Sequence, residues 1–229
     1  MSKNNKTWKS TLVVMAGLVL AVSISARADM IIAQQEQDFQ ANNNGHPDTI
    51  GSGTWTYMYS DDINPTVGTT GLLTWNPASS EYDLGGTDYY PDGAMQGSML
   101  TMAPEVGGAA TTRYGVMRWT SGVAGPVNVA GTWTHYWPSS GDGMEVAVYA
   151  NGVQMFDTLL TSGSANFDFD INVSPGNVVD YVVGPGSLFN GNYDRADIET
   201  TITLVPVPGA ILLGILGLGA AGLKLRRFA

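Results

Sequence analysis

The chain has 229 residues, a formal net charge of −10, no cysteine and two histidines. No disulfide or thiol-ligated metal is therefore available, and stability has to come from a buried core. The length is enough for one sizeable core.

Residues 1–28 carry the pattern of a secretory signal: Lys3, Lys6 and Lys9, then the apolar Thr11–Ile24, then Ala26-Arg27-Ala28 as a small-x-small cleavage site. Signal peptidase would cut after Ala28, giving a mature start at Asp29. The alternative is an uncleaved anchor, for which 14 apolar residues are short. Between residues 29 and 204 there are three cations, Arg113, Arg118 and Arg195, against all twenty carboxylates of the chain, so 3 − 20 gives −17. A surface of that charge repels phosphate backbones and anionic membranes and excludes a nucleic-acid partner.

The mature region reads as strands. Thr54–Tyr59 alternates, with Trp55, Tyr57 and Tyr59 on one face. Gly71–Trp75, Arg113–Trp119 and Val127–Trp133 follow. Met144–Tyr149 meets Val153–Leu160 across Asn151-Gly152, a strong hairpin signal because both residues tolerate positive φ. Phe167, Phe169 and Ile171 point one way, and Asn166, Asp168, Asp170 and Asn172 the other. Pro175-Gly176 turns the chain into Val178–Val183, and Ala196–Leu204 closes the domain. Segments Asn42–Gly45, Asp61–Pro65 and Asp83–Gly93 are expected to be loops. About nine strands without helical periodicity predict an all-β fold, an antiparallel jelly-roll β-sandwich over residues 29–204.

From Val205 the chain changes character. Pro206 and Pro208 stop any helix entering from the domain. Val205–Leu223 is uncharged over 19 residues, ~28 Å if helical, about one hydrocarbon core. Lys224, Arg226 and Arg227 form a basic end that stays on the cytoplasmic side. The alternative, a buried soluble helix, leaves that basic end hard to place.

The hinge, apolar segment and basic end over Val205–Arg227 resemble the PEP-CTERM sorting signals of exported bacterial proteins, with Val207 where the best-known form has Glu. The resemblance implies transient inner-membrane insertion through residues 205–229. It also implies recognition by an exosortase, and a final place at the cell surface or in an exopolysaccharide or biofilm matrix.

A second resemblance rests on Val116–Ser121, Val123–Val127 with Gly131, Asn151-Gly152, Pro175–Gly184 and Gly191–Asp194. These runs are similar to exported bacterial β-sandwich domains of galactose-binding-like or carbohydrate-binding-module-like form. That likeness implies a non-catalytic partner for a polysaccharide or other surface glycan.

Among candidate sites, Trp133, His135, Tyr136 and Trp137 precede a loop containing Asp142. Exposed rings there would stack on sugar faces while His135 and Asp142 take hydroxyls. The alternative places Trp133 and one neighbour in the core. Asn190, Asn192, Asp194 and Asp197, with Asp142 and Glu145, are candidate oxygen ligands for structural calcium, as are Asp61, Asp62 and Asn64. The alternative is solvated turn residues with no ion. Arg118, beside Trp119, is expected to pair with a carboxylate such as Asp180 and fix a sheet contact; the alternative is a ligand role. Catalysis has little support, because His46 and His135 lie in no nucleophile or metal-binding frame. Carboxylates alone could serve a glycosidase, but twenty of them single out no pair. Self-association of a structural matrix protein through calcium is the second functional reading, and action on glycosides the third.

Overall fold

The computed structural model describes residues 30–35, 49–50, 53–76, 81–83, 92–96, 99–103, 105–107, 111–136, 143–186 and 195–205. Nearly all of these belong to one compact unit, Ile31–Leu204. The expected signal with Ala26 and Ala28 lies outside the described residues. So does the sorting segment with Pro206, Pro208, Lys224, Arg226 and Arg227. Among the described residues no helix is long and apolar enough to cross a membrane.

Sixteen strands are present among the described residues. The first seven are β1 (Met30–Gln34), β2 (Thr49–Ile50), β3 (Gly53–Ser60), β4 (Thr70–Leu72), β5 (Thr74–Asn76), β6 (Glu81–Asp83) and β7 (Asp92–Gln96). Then come β8 (Met99–Ala103), β9 (Glu105–Gly107), β10 (Thr111–Ser121), β11 (Gly125–His135) and β12 (Met144–Ala150). The last four are β13 (Val153–Leu160), β14 (Ser164–Val173), β15 (Val178–Pro185) and β16 (Ala196–Leu204).

Their pairing is that of a ribbon folded on itself. The hairpin β12–β13 is innermost; β11 pairs β14, β10 pairs β15, and β8 pairs β16 around it. Two further pairings, β11 with β16 and β12 with β15, bend the ribbon into facing sheets. All are antiparallel, and the result is the expected jelly roll. The first sheet runs β14-β11-β16-β8-β7-β6-β5 with β1 on β16; the second runs β13-β12-β15-β10-β3-β2 with β4 on β3 and β9 on β10.

The N-terminal half departs from expectation in an instructive way. Gly71–Trp75, expected as one strand, is two: β4 pairs β3 in the second sheet, whereas β5 pairs β6 in the first. Leu73 lies between them, buried, its amide donating to the Tyr57 carbonyl at 3.0 Å. A single buried leucine thus marks the crossing from one sheet to the other. The expected loop at Asp83–Gly93 is shorter than that, because Asp83 ends β6 while Asp92 and Gly93 begin β7, and the two strands pair with each other.

The core follows from alternation. Trp119, Trp133, Tyr181 and Met117 are fully buried between the sheets. Phe167 packs obliquely against Phe156 and Tyr181 at ring separations of 5.7 and 6.0 Å. The Tyr181 hydroxyl shares a 3.0 Å hydrogen bond with Thr200, which also donates to the Ala130 carbonyl at 3.2 Å. A phenol buried this deeply needs such a partner. Burial holds its pKa well above the ordinary value.

The second sheet is covered on part of its outer face as well, over β3, β10, β12 and β15. Met58, Val116, Ala147, Tyr149 and Val182 form a smaller apolar cluster there, against which Ile63 and Tyr114 pack. Ile63 belongs to the connection between β3 and β4, and that connection is built by its own polar side chains. Asp61 accepts from the Thr69 amide at 2.6 Å, Asp62 from Asn64 at 2.8 Å, and Asn64 from Thr66 at 3.1 Å. Asn64 also donates to the Gly152 carbonyl at 3.0 Å, pinning the connection to the β12–β13 turn. That turn has the expected form, Asn151 at φ 50° and Gly152 at φ 80°.

Candidate functional site

With β3, β10, β12 and β15 covered by the smaller apolar cluster, the outer face of β14, β11 and β16 is an open polar surface among the described residues. Along β11 the odd residues Val127, Val129 and Trp133 are buried, so Asn128, Ala130, Thr132 and Thr134 point outward. On β14, Ser164, Asn166, Asp168 and Asp170 are exposed, and on β16 Glu199 is exposed with Thr201 and Thr203 partly so. The register joins these into four rows. Ser164, Thr134 and Asp197 form one; Asn166, Thr132 and Glu199 the next; Asp168, Ala130 and Thr201 the third; Asp170, Asn128 and Thr203 the last.

Cross-strand hydrogen bonds hold the rows in place. Asn128 Nδ2 donates to Asp168 at 2.7 Å and to Asp170 at 2.9 Å. Thr132 donates to Asn166 Oδ1 at 2.8 Å, and the Thr134 and Ser164 hydroxyls are 3.0 Å apart. Such pairs restrict rotamers on an otherwise solvated surface.

The middle of this face is hollow. A cavity of about 460 Å3 opens over Ala130 and Gly131, walled by Thr132, Asn166, Asp168, Glu199 and Thr201, with Gln34 of β1 at its side. Two small residues in sequence make the floor low. Gly131 has a second reason to lack a side chain: a Cβ there would strike the Glu199 carbonyl and the Phe167 ring. The groove therefore sits where the core beneath demands glycine and where the neighbouring position is alanine. Its walls offer hydroxyls, an amide and carboxylates, the groups that hydrogen-bond a polyhydroxylated ligand.

The residues singled out from sequence are placed differently. Trp133 is fully buried and His135 nearly so. Neither ring offers a face to a ligand, and an exposed platform including them is corrected to core packing. The cause is parity, since odd positions of β11 face inward. Tyr136 is half-buried, its amide donating to the Arg195 carbonyl at 3.0 Å. Trp137 and Asp142 lie outside the described residues. His135 has no hydrogen-bond partner for either ring nitrogen among the described residues, and burial lowers its pKa. It stays neutral near physiological pH.

Of the calcium candidates, Asp197 is on β16, largely buried opposite Thr134, while Asn190, Asn192 and Asp194 lie outside the described residues. Asp61, Asp62 and Asn64 spend oxygens on the backbone of their own connection. Among the described residues no three His, Cys, Asp or Glu side chains converge as a metal site. Arg118 makes the expected pair with Asp180, Nε to Oδ1 at 2.6 Å and Nη2 to Oδ2 at 2.9 Å, on the outer face of the second sheet.

The groove residues were half-legible. Alternation had set Asn166, Asp168 and Asp170 on one face of their strand. The partners Thr132, Glu199 and Thr201 come from strands far away in sequence, and only register brings them together.

No protein-family model matches the chain. Comparison with curated proteins finds no match. Among solved structures, the chain is similar to a CBM51 from Clostridium perfringens GH95 in complex with methyl-galactose. That likeness has 10% identity and a TM-score of 0.32, over 65% of this chain and 79% of that one. A point mutant of CBM29-2 complexed with cellulohexaose aligns at 14% identity and TM-score 0.31, over 66% and 91%. Rabbit GITRL aligns at 13% and 0.32, over 39% and 71%.

Proposed function

We propose that this chain is an exported, non-catalytic sandwich that binds polysaccharide at the cell surface or in the extracellular matrix. Binding takes place in the groove over Ala130 and Gly131. The observation that carries the reading is the groove itself, 460 Å3 of open space in which Thr132 and Asn166 are held by each other and Asp168 is held by Asn128. Side chains ordered before binding lose little entropy when a sugar arrives. Export and sorting are inferred from the two ends of the sequence, with signal peptidase acting at Ala28 and an exosortase acting on the segment from Val205. Structural calcium belongs to the same proposal only as a stabiliser of turns.

The test is affinity electrophoresis of the full chain through gels containing soluble polysaccharides. Retardation by at least one glycan is expected. Replacing Thr132 by Val together with Asn166 by Ala should weaken it by about tenfold, the loss of one or two hydrogen bonds to ligand. Retardation unchanged by that double substitution would move the site elsewhere, and no retardation by any glycan would end the reading.

A further inference from the structure

Building on the assignment of the groove to glycan, we infer that its ligand carries positive charge: a polymer of amino sugars with free amino groups. Three features of the face converge on this. Asp168 and Asp170 each give one oxygen, Oδ1, to Asn128 Nδ2. The other oxygen of each has no partner among the described residues, so the carboxylates are positioned but not neutralised. Glu199, exposed on the opposite wall, has neither hydrogen bond nor ion pair among the described residues. Beside these carboxylates stand the Thr132 and Thr201 hydroxyls and the Asn166 amide, which can satisfy ring and exocyclic hydroxyls.

None of the three cations of the domain lines the groove. Arg113 lies over the Tyr59 ring at 5.1 Å, Arg118 is held by Asp180 on the other sheet, and Arg195 is buried. A uronic acid polymer would meet carboxylates on both walls with no cation to receive it. A neutral sugar would use the carboxylates only as acceptors. An ammonium group would gain both a hydrogen bond and an opposite charge, and such charge-assisted bonds are about twice as strong as neutral ones. The two walls are also separated by a whole strand, β11. Residues Asp168 and Glu199 stand two strands apart, on the order of 10 Å. Separate ammonium groups along one chain fit that spacing better than a single point charge.

The experiment is isothermal titration of the full chain at pH 6 with three hexasaccharides of matched length. The probes are a glucosamine oligomer with free amines, its fully N-acetylated form, and an oligogalacturonate. The free amine form should bind at least about tenfold tighter than the acetylated one, and the galacturonate should not bind. Added salt should weaken the first and leave the second unchanged. Glu199→Gln and Asp168→Asn should each reduce the preference severalfold. Asp157→Asn, which removes the same charge from the other sheet, should not. Equal affinity for the amine and acetyl forms would overturn the charge assignment while leaving glycan binding intact. Weakening by Asp157→Asn as large as by Glu199→Gln would reduce the effect to general attraction by an acidic surface and overturn the groove as its seat. Failure of all three to bind, with other glycans retarding the chain, would also overturn it. Failure of every glycan would remove the underlying reading as well.

Discussion

At the residue scale the most consequential contact is Arg118 with Asp180. The carboxylate is fully buried and accepts both arms of the guanidinium, whose own side chain remains partly exposed. Burial raises the Asp180 pKa, and the arginine, by hydrogen bond and charge, offsets part of that rise. The pair is worth little relative to an apolar replacement of both members, yet breaking it strands a buried charge. Arg118→Met should therefore cost about 3–5 kcal/mol in chemical denaturation. Combining it with Asp180→Leu should recover much of the loss. If the double variant is no more stable than the single, the pair is not the source of the effect.

At the element scale, β11 decides both core and groove. It pairs β14 on one side and β16 on the other, so each residue from Val127 to Thr134 has two register partners. Its inward positions supply Val127, Val129 and Trp133 to the core, and its outward positions supply the middle of the polar rows. Gly131 is the exception among the inward ones, its place taken by the Phe167 ring from across the pair. Gly131→Ala should destabilise by about 1–3 kcal/mol, because the Glu199 carbonyl it meets is backbone and cannot step aside. Ala130→Ser, one residue away but facing out, should change stability by less than about 0.5 kcal/mol. Equal effects at the two positions in thermal denaturation would contradict the assigned parity.

For the whole molecule, the pH profile brings separate environments together. His135 is buried near the end of β11, and burial lowers its pKa below the ordinary 6.5. The unfolded chain then holds that proton more readily, so stability is fully present above the unfolded pKa and is lost as pH falls below it. Glu145 and Asp180 act in the opposite sense. Their pKa values are raised, Glu145 by burial and then by Asp157, so the stability they contribute is present at low pH and lost as pH rises through their folded values. Between about pH 7 and 5.5 the histidine is the group expected to dominate. The melting temperature should fall over that interval, and His135→Leu should flatten the fall. A slope identical in both proteins would place the titrating group elsewhere.

The sequence by itself determined which residues alternate, where Asn151-Gly152 reverses the chain, and that the domain is built of strands around a core without disulfides. Those properties are local: side-chain parity depends on residues i and i+2, and a tight turn on two dihedral pairs. The expected strands were enough to imply the jelly roll because most of them lie from Arg113 onward, where alternation is clean. Tertiary structure alone decided which face of each strand met the core, why Gly71–Trp75 divides between sheets at Leu73, and where the groove forms. The Asn128–Asp168 and Thr132–Asn166 contacts span 40 and 34 residues. Parity leaves two faces open, and a shift of one residue in register would exchange them. Packing of Trp133 and Phe167 inward selected one, and that choice turned a plain polar alternation into a walled groove.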